Sequence, residues 1–171
     1  MKESEENRIW NNYIRSRTEL YKKLMPSNVS GSMISEANWV IRSRYSSGDQ
    51  IGISVTKGDI CYLDYGQTYL NEAGFQHFGL VVTVFEKKAL IIPMTSNRIT
   101  YEKAYDPVER PDGRKHLMRL GQIRGMNKPS VLFLNDARFI NTARIIDVKS
   151  HISPRSKTFH DVQERLKEIM F

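Results

Sequence analysis

The segment 58–97 constrains the fold of this chain more than any other part of the sequence. It contains three short apolar runs, Ile60–Tyr65, Leu80–Phe85 and Leu90–Met94, which are rich in β-branched or aromatic residues and are bounded by Gly, Asn or paired Lys. Runs of this length and composition are typical of β-strands. The charged residues 86–88 are predicted to form a tight turn, so that the second and third strands make a hairpin. The first strand alternates incompletely between apolar and polar residues, which favours burial of both its faces.

The same segment carries the candidate catalytic side chains. Gln76 and His77 stand just before the second strand, and the third strand ends directly in Thr95-Ser96-Asn97. A histidine at the start of one strand and hydroxyls at the end of its neighbour can meet at one rim of a small barrel. We therefore predict the functional site at this rim.

Helices are predicted on both sides of the strands. Residues 4–25 and 32–45 carry apolar side chains at three- and four-residue spacing, and Ser156–Met170 is a predicted helix with a capping box from Thr158 to Asp161. The apolar face of the first helix is interpreted as a docking stripe. It is expected either to cover the substrate groove of the same chain or to extend a dimer interface.

Two further strands are predicted near the C-terminus, at Val131–Leu134 and Arg138–Ile140. Five or more short strands bracketed by helices indicate a mainly β (α+β) fold, built on a small barrel with helical additions. The chain is accordingly divided into a helical extension, residues 1–50, and a barrel domain with its C-terminal helix, residues 51–171.

Composition limits the class of protein. A chain of 171 residues with 40% apolar content is long enough for one globular domain with an extension. It has no run of about 18 apolar residues, and its acidic N-terminus lacks the apolar core of a signal peptide, so we expect a cytoplasmic protein without a membrane segment. The single cysteine, Cys61, is interpreted as a small buried hydrophobe in a reducing compartment.

The charge of the chain suggests an acidic partner. The net charge is +7, and the excess is concentrated in the glycine-containing segment 110–128. Its cations are Arg110, Arg114, Lys115, Arg119, Arg124 and Lys128. Such a segment either follows a phosphate backbone or is a solvated loop without a ligand, and the sequence leaves both open. The four histidines show no metal-ligand spacing, and no P-loop or dinucleotide motif is present, so neither a metal nor a cofactor is predicted.

Four motifs follow one another in a characteristic order. They are GDICYLDYGQT, NEAGFQHFGLVV, ALIIPMTSN and SVLFLNDARFINTARI. Together they resemble the MazF/PemK (Kid) toxins of bacterial toxin–antitoxin systems, over about residues 56–170. Members of this family are small endoribonucleases built on an SH3-like barrel of the CcdB/MazF type. The resemblance therefore implies single-stranded RNA as substrate, a cognate antitoxin protein as partner and a homodimer.

The second motif departs from the pattern of the family. Many members have Arg-Pro at the entry to the second strand, and the resemblance places His77 at the position of their catalytic arginine and Phe78 at that of the proline. Thr95 falls on the family's catalytic Thr or Ser, and Ser96 is adjacent. One half of the expected catalytic pair is retained, and the other has changed its residue type.

Cleavage of RNA without a metal needs a base for the 2′-OH, an acid for the leaving 5′-oxygen, and positive charge or donors on the phosphate. Histidine is suited to the proton transfers, because it exchanges protons near neutral pH. We therefore predict His77 as the acid–base group and Thr95 as a donor to the phosphate. Ser96 is the adjacent hydroxyl, and Arg98 is the first candidate for the missing cation.

The remaining candidates are expected to bind RNA. They are Gln76, Phe78, Arg114, Lys115, His116, Arg119, Arg124 and Arg138. Among them, His116 is either a second acid–base group or an exposed spectator.

Two other functions are compatible with the sequence. The same barrel can serve as a non-catalytic module that binds RNA, DNA or protein, including a gyrase-targeting toxin of the CcdB type. Alternatively, the chain is an adaptor that binds its partner through residues 1–50. His77 separates an enzyme from a binding module, because only an enzyme needs a proton-transfer group there.

Overall fold

A helical hairpin forms the first part of the chain in this computed structural model, which describes residues 4–171. Helix α1 spans Glu5–Lys23 and helix α2 spans Pro26–Arg42. The hydroxyl of Ser4 caps α1 by accepting a hydrogen bond from the backbone N–H of Asn7 at 3.2 Å. The second helix begins six residues earlier than predicted, because Pro26 occupies its first turn, where no N–H is required.

Eight strands and two further helices follow. The strands are β1 (Asp59–Asp64), β2 (Gln76–Phe85), β3 (Lys88–Thr95), β4 (Ala104–Tyr105), β5 (Arg114–Gly121), β6 (Ser130–Phe133), β7 (Arg138–Asn141) and β8 (Ile145–His151). The helices are α3 (Arg98–Lys103), between β3 and β4, and α4 (Lys157–Met170) at the C-terminus. Short 3₁₀ turns lie at Gly48–Ile51, Leu134–Asp136 and Thr142–Arg144.

The strands form one mixed sheet in the order β4-β5-β6-β3-β2-β1-β8. Only β4 and β5 are parallel, and β7 shares with β6 the edge of β3 that lies opposite β2. The predicted α+β fold, a sheet with helices at both ends of the chain, is thus confirmed. Within residues 4–171 no pairing joins β8 to β4, so the sheet of the predicted small barrel is not closed. The edge strand β4 has only two residues and offers little backbone for closure.

The central strands β1, β2 and β3 are buried on both faces, as the incomplete alternation of β1 predicted. Ile60, Leu80 and Ile92 pack in the cluster that includes residues of α4. Cys61, Val81 and Ile91 pack in a second cluster on the opposite face. Cys61 is fully buried, and burial raises the pKa of its thiol to about 12, which confirms its role as an apolar core residue.

The C-terminal helix α4 covers one face of the sheet through Phe159, Val162 and Leu166. Its N-cap is Ser156, whose hydroxyl accepts a hydrogen bond from the backbone N–H of Phe159 at 3.2 Å. The predicted cap at Thr158 is therefore wrong, since Thr158 already lies within the first turn. The helix itself lies where it was predicted.

We expect Ser156→Ala to lower the free energy of unfolding by about 1 kcal/mol, because one N–H of the first turn loses its acceptor. Ser156→Asp retains an acceptor and serves as the matched control, with an expected change below about 0.5 kcal/mol. Urea unfolding of the three proteins measures both values. Equal loss in the two variants would show that the cap does not contribute.

Among the described residues, no helix is both long enough and apolar enough to cross a membrane.

Candidate functional site

The register of β2 and β3 brings His77 and Thr95 together. Phe78 pairs with Met94, and Gly79 pairs with Pro93. One step further along this antiparallel register, His77 lies opposite Thr95. Directly opposite residues of antiparallel strands typically have Cβ atoms about 5 Å apart. The two side chains that the sequence singled out are therefore neighbours at the same end of the sheet.

A hydrogen bond to the backbone fixes which ring nitrogen of His77 carries a proton. Nδ1 of His77 lies 2.6 Å from the carbonyl oxygen of Gly74. Because a carbonyl only accepts, Nδ1 carries a proton and Nε2 is the nitrogen left to exchange one. The side chain itself is exposed. This arrangement resembles the way a general base is oriented in acid–base catalysis.

The side chains of Asp136 and Arg138 hold in place the loop that contains the carbonyl group of Gly74. The carboxylate of Asp136 accepts a hydrogen bond from the backbone N–H of Ala73 at 2.8 Å. The guanidinium of Arg138 donates to the carbonyl oxygen of Ala73. The backbone N–H and C=O of Ala73, the residue before Gly74, are thus both hydrogen-bonded, which holds the loop that orients His77.

His77 and Thr95 open into a pocket of about 540 Å³ that also contains a second histidine, His116. His116 lies on β5 and is half-buried. Two cations line the same pocket, Lys103 from α3 and Arg114 from β5. The structure therefore collects two imidazoles, the hydroxyls of Thr95 and Thr100, two positive charges and two carboxylates, those of Glu72 and Asp136, in one open cavity at the sheet rim.

The orientation of helix α3 determines which of its two basic side chains, Arg98 or Lys103, lines the pocket. Arg98 and Glu102 are one turn apart and form an ion pair with an N–O distance of 2.8 Å, and the side chain of Arg98 is 91% exposed. Ile99 and Lys103, on the neighbouring line of the helix, contribute to the pocket lining. The pocket thus holds Lys103, and Arg98 lies on the solvent side of α3, outside the lining.

Three other predicted residues lie on the surface outside the pocket. Ser96, Lys115 and Arg124 are exposed and are not part of its lining. Lys115 is adjacent to the pocket residues of β5, and its carbonyl oxygen accepts a hydrogen bond from Arg165 at 2.8 Å.

Gln76 and Phe78, which flank His77 on β2, point away from the pocket. The amide of Gln76 donates to the carboxylate of Asp64 at 3.3 Å. The ring of Phe78 packs against the core and lies 5.2 Å from the ring of Tyr62. Because side chains alternate along a strand, the neighbours of His77 necessarily face the other side.

Two predicted RNA-binding arginines are bound within the protein. The guanidinium of Arg119 donates to the carbonyl oxygen of Tyr101 at 2.8 Å and to the carboxylate of Glu109 at 2.9 Å, and its side chain is only 10% exposed. Arg138 stacks over the ring of Tyr65 at 5.1 Å and holds the loop at Ala73. These bonds assign both residues a positioning role in this structure.

Sequence reasoning missed Lys103 and the role of the 3₁₀ turn at Leu134–Asp136. The turn contributes Asn135 and Asp136 to the pocket. A helix of six residues gives almost no periodic signal, so α3 and the direction of Lys103 were not predictable. The sequence indicated only that a basic residue shortly after the third strand could supply the cation, and this led to the prediction of Arg98.

Within residues 4–171 no group of three or more His, Cys, Asp or Glu side chains is arranged to hold a metal ion. The lining of the pocket takes no residue from α1 or α2 in the described part of the chain. The alternative that the first helix covers the substrate groove in cis is therefore not supported.

No protein-family model and no curated protein sequence matches the chain. Solved structures do match the chain. The chain is similar in structure to MazF toxins. MazF from Deinococcus radiodurans aligns with a TM-score of 0.49 and 13% identity, over 69% of this chain and 97% of that one. The Mycobacterium tuberculosis toxin MazF-mt6 aligns with a TM-score of 0.42 and 11% identity, over 64% of this chain and 93% of that one.

A third similar structure is an endoribonuclease in complex with its cognate antitoxin from a mycobacterial species. It aligns with a TM-score of 0.47 and 10% identity, over 67% of this chain and 93% of that one. About a third of this chain lies outside each of these alignments.

Proposed function

We propose that this chain is a metal-independent endoribonuclease that cleaves single-stranded RNA and acts as the toxin of a toxin–antitoxin system. One observation carries the proposal: His77, Thr95 and His116 line a single pocket together with Lys103 and Arg114. The resemblance of the four sequence motifs to MazF/PemK toxins supports the choice of RNA as substrate. A cognate antitoxin and a second copy of the chain are the partners that this function implies.

The proposed reaction is an attack of the RNA on its own backbone. Nε2 of His77 removes the proton of a 2′-OH, and the 2′-oxygen forms a bond to the adjacent phosphorus. The bond from phosphorus to the 5′-oxygen breaks, and His116 gives a proton to that oxygen. The products are a 2′,3′-cyclic phosphate and a free 5′-OH, so protons and charges balance within the protein and substrate.

The other pocket residues act on the phosphate. The hydroxyl of Thr95 donates to a non-bridging oxygen, whose negative charge grows as the new bond forms. Lys103 and Arg114 supply positive charge at the same place. Because side chains provide the base, the acid and the charges, the proposed mechanism requires no metal ion.

His116→Ala tests this assignment. We expect cleavage of RNA to slow by about 10²-fold, because the leaving 5′-oxygen loses its acid. A substrate with sulfur in place of that 5′-oxygen needs no proton to leave, so the variant should cleave it at nearly the wild-type rate. Initial rates on both substrates measure the effect.

His160 provides the matched control, since it is exposed on α4 and lies outside the pocket. His160→Ala should cleave both substrates like the wild type. An equal loss on both substrates in His116→Ala would contradict the role of His116 as the acid. Salt-sensitive RNA binding by a folded wild-type protein without any cleavage would support the non-catalytic binding module instead.

Arg114→Ala is expected to weaken RNA binding and to make it less dependent on salt. Each phosphate contact in single strands contributes a slope of roughly 0.7 in log affinity against log salt, and the variant loses one such contact. Arg124→Ala, an exposed cation outside the pocket, is the matched control. Titrations of a fluorescent oligoribonucleotide at several salt concentrations compare the two, and equal slopes would remove Arg114 from the RNA site.

A further inference from the structure

Phe75 has a backbone conformation that is rare for an aromatic residue. Its φ angle is +54°, in the left-handed region, where the Cβ atom of an L-residue crowds the carbonyl oxygen. A strained conformation of this kind persists only where the surrounding structure holds it. Phe75 ends the loop 66–75 and lies two residues before His77, so the contacts that hold it act next to the candidate site.

Phe75 shares a peptide group with the carbonyl that orients His77. The carbonyl oxygen of Gly74 lies 2.6 Å from Nδ1 of His77. The N–H of the same peptide group belongs to Phe75 and donates to the carbonyl oxygen of Gly66 at 2.7 Å. Because a peptide group is planar, the direction of its N–H also fixes the direction of its carbonyl. The φ angle of Phe75 therefore sets where the carbonyl of Gly74 points.

Helix α2 contacts the ring of Phe75 at a position that has no side chain. A Cβ atom on Gly31 would lie 3.1 Å from Cδ2 and 3.2 Å from Cγ of that ring. The optimum separation of two carbon atoms is about 3.5–4.0 Å, so only glycine leaves the ring its present place. Glycine is unfavourable inside a helix, and Gly31 is the sixth residue of α2. The close approach of the ring is a physical reason for glycine at this position.

A second contact attaches α2 to the beginning of the same loop. The hydroxyl of Ser32 donates to Oε1 of Gln67 at 2.9 Å, and Nε2 of Gln67 donates to the carbonyl oxygen of Ser32 at 3.3 Å. The hydroxyl of Tyr21 on α1 lies 2.6 Å from that of Ser32 and is the donor of this bond, since Ser32 gives its proton to Gln67. Gln67 follows Gly66, so the extension also holds the carbonyl to which Phe75 is bound.

We propose that the helical extension is a positioning element of the nuclease site. Gly31 and Ser32 hold the loop 66–75 from its far side, and Phe75 directs the carbonyl of Gly74, which keeps a proton on Nδ1 of His77. The helices act from behind the pocket, because its lining takes no residue from α1 or α2 in the described chain. The effect on catalysis rests on the proposed function, whereas the effect on the imidazole does not.

Nitrogen-15 NMR of the His77 ring tests the positioning without any reaction. With the ring in its neutral form, we expect the wild type to carry its proton on Nδ1. Gly31→Leu forces the ring of Phe75 to move, so the proton should become shared between Nδ1 and Nε2. Ala37→Leu, at an exposed position of the same helix, is the matched control and should keep the wild-type signals. The signals of His77 are those missing from the spectrum of His77→Ala.

Cleavage of RNA reports the consequence for the reaction. We expect kcat of Gly31→Leu to fall by roughly tenfold, because the base is misaligned. KM should stay within about twofold of the wild type, since the lining of the pocket is unchanged. Ala37→Leu should cleave RNA like the wild type.

A size exchange separates positioning from a loss of stability. Phe75→Ala is expected to share the ring proton and to lower kcat as Gly31→Leu does, because it removes the same contact from the other side. In the double variant the leucine fills the space left by the ring, so kcat should exceed that of either single variant by at least about threefold. Circular dichroism and thermal unfolding verify that each variant is folded. If Gly31→Leu does not fold, Gly31→Ala replaces it, with a smaller shift in the same direction.

Two results would overturn the proposal. The first is a folded Gly31→Leu or Phe75→Ala protein in which His77 keeps its proton on Nδ1 as in the wild type. The second is a double variant that cleaves RNA no faster than the slower single variant, as expected if each change only weakens the fold. A wild type that cleaves no RNA would contradict the proposed function alone, and the spectra of the ring would still confirm or overturn the positioning.

Discussion

His77→Ala is expected to slow the cleavage of single-stranded RNA by about 10³-fold. The structure leaves Nε2 of His77 as the proton-exchanging nitrogen, because Nδ1 is bound to the carbonyl oxygen of Gly74 at 2.6 Å. Alanine removes the base and leaves the 2′-OH to be deprotonated by water. Single-turnover rates with enzyme in excess report this step without interference from product release.

The fold is expected to tolerate the change, since His77 is exposed and lies at the end of β2. Thermal unfolding should therefore agree within a few degrees between His77→Ala and the wild type. His160→Ala controls for the loss of an exposed imidazole elsewhere. A folded His77→Ala protein that cleaves RNA at the wild-type rate would remove His77 from the mechanism.

Asp64→Ala is expected to have the largest effect on stability, a loss of about 3–5 kcal/mol in the free energy of unfolding. Asp64 is 3% exposed. Its carboxylate accepts hydrogen bonds from Ser35 at 2.8 Å and Asn38 at 2.9 Å, both on α2. It also accepts from the backbone N–H of Gly66 at 2.9 Å. Alanine leaves the buried Ser35 and the half-buried Asn38 and Gly66 without this acceptor, and these contacts between α2 and β1 are lost.

Urea unfolding, followed by both circular dichroism and tryptophan emission, measures the effect of Asp64→Ala. Asp147→Ala is the matched control, because Asp147 lies on β8, is far less buried than Asp64, and pairs with the side chain of Lys149. Its expected change is below about 0.5 kcal/mol. Equal stability of the two variants would show that the carboxylate of Asp64 does not hold the hairpin on the sheet.

The elements with a strong periodic or compositional signal were predictable. β1 and β3 coincide closely with two of the apolar runs, and α1 and α4 with the amphipathic segments. β2 contains the run Leu80–Phe85 but begins four residues earlier, at Gln76, so His77 lies within the strand and not before it.

The sequence predicted that His77 and Thr95 meet at one rim, but it did not predict their register. The turn between β2 and β3 alone would place His77 opposite Ser96, and an irregularity between Val81 and Thr83 shifts the register by one residue toward Thr95.

The cations of the site were not predictable in the same way. Arg98 and Lys103 are both basic and lie on the same short helix, and only the helical rotation shows that Lys103 faces the pocket. Arg119 and Arg138 looked like RNA ligands in a basic sequence. Their partners, Glu109 and the carbonyl oxygens of Tyr101 and Ala73, become neighbours only through the tertiary fold.

The sequence also could not predict that the sheet is not closed. Closure of a barrel depends on whether the two edge strands meet, and β4 contributes only two residues at one edge. β8 occupies the opposite edge and pairs with β1 alone in the described chain. A strand of two residues, such as β4, is too short to show an alternation of apolar and polar side chains, so its pairing partner cannot be predicted from the sequence.

The most direct test of the proposed function is cleavage in EDTA of two matched oligonucleotides. One is single-stranded RNA, and the other is the same sequence with 2′-deoxy sugars throughout. We expect discrete fragments from the RNA alone, with 2′,3′-cyclic phosphate and 5′-OH ends identified by mass spectrometry. Cleavage of the deoxy strand, cleavage that requires a divalent ion, or fragments that carry a 5′-phosphate would contradict the attack by the 2′-OH.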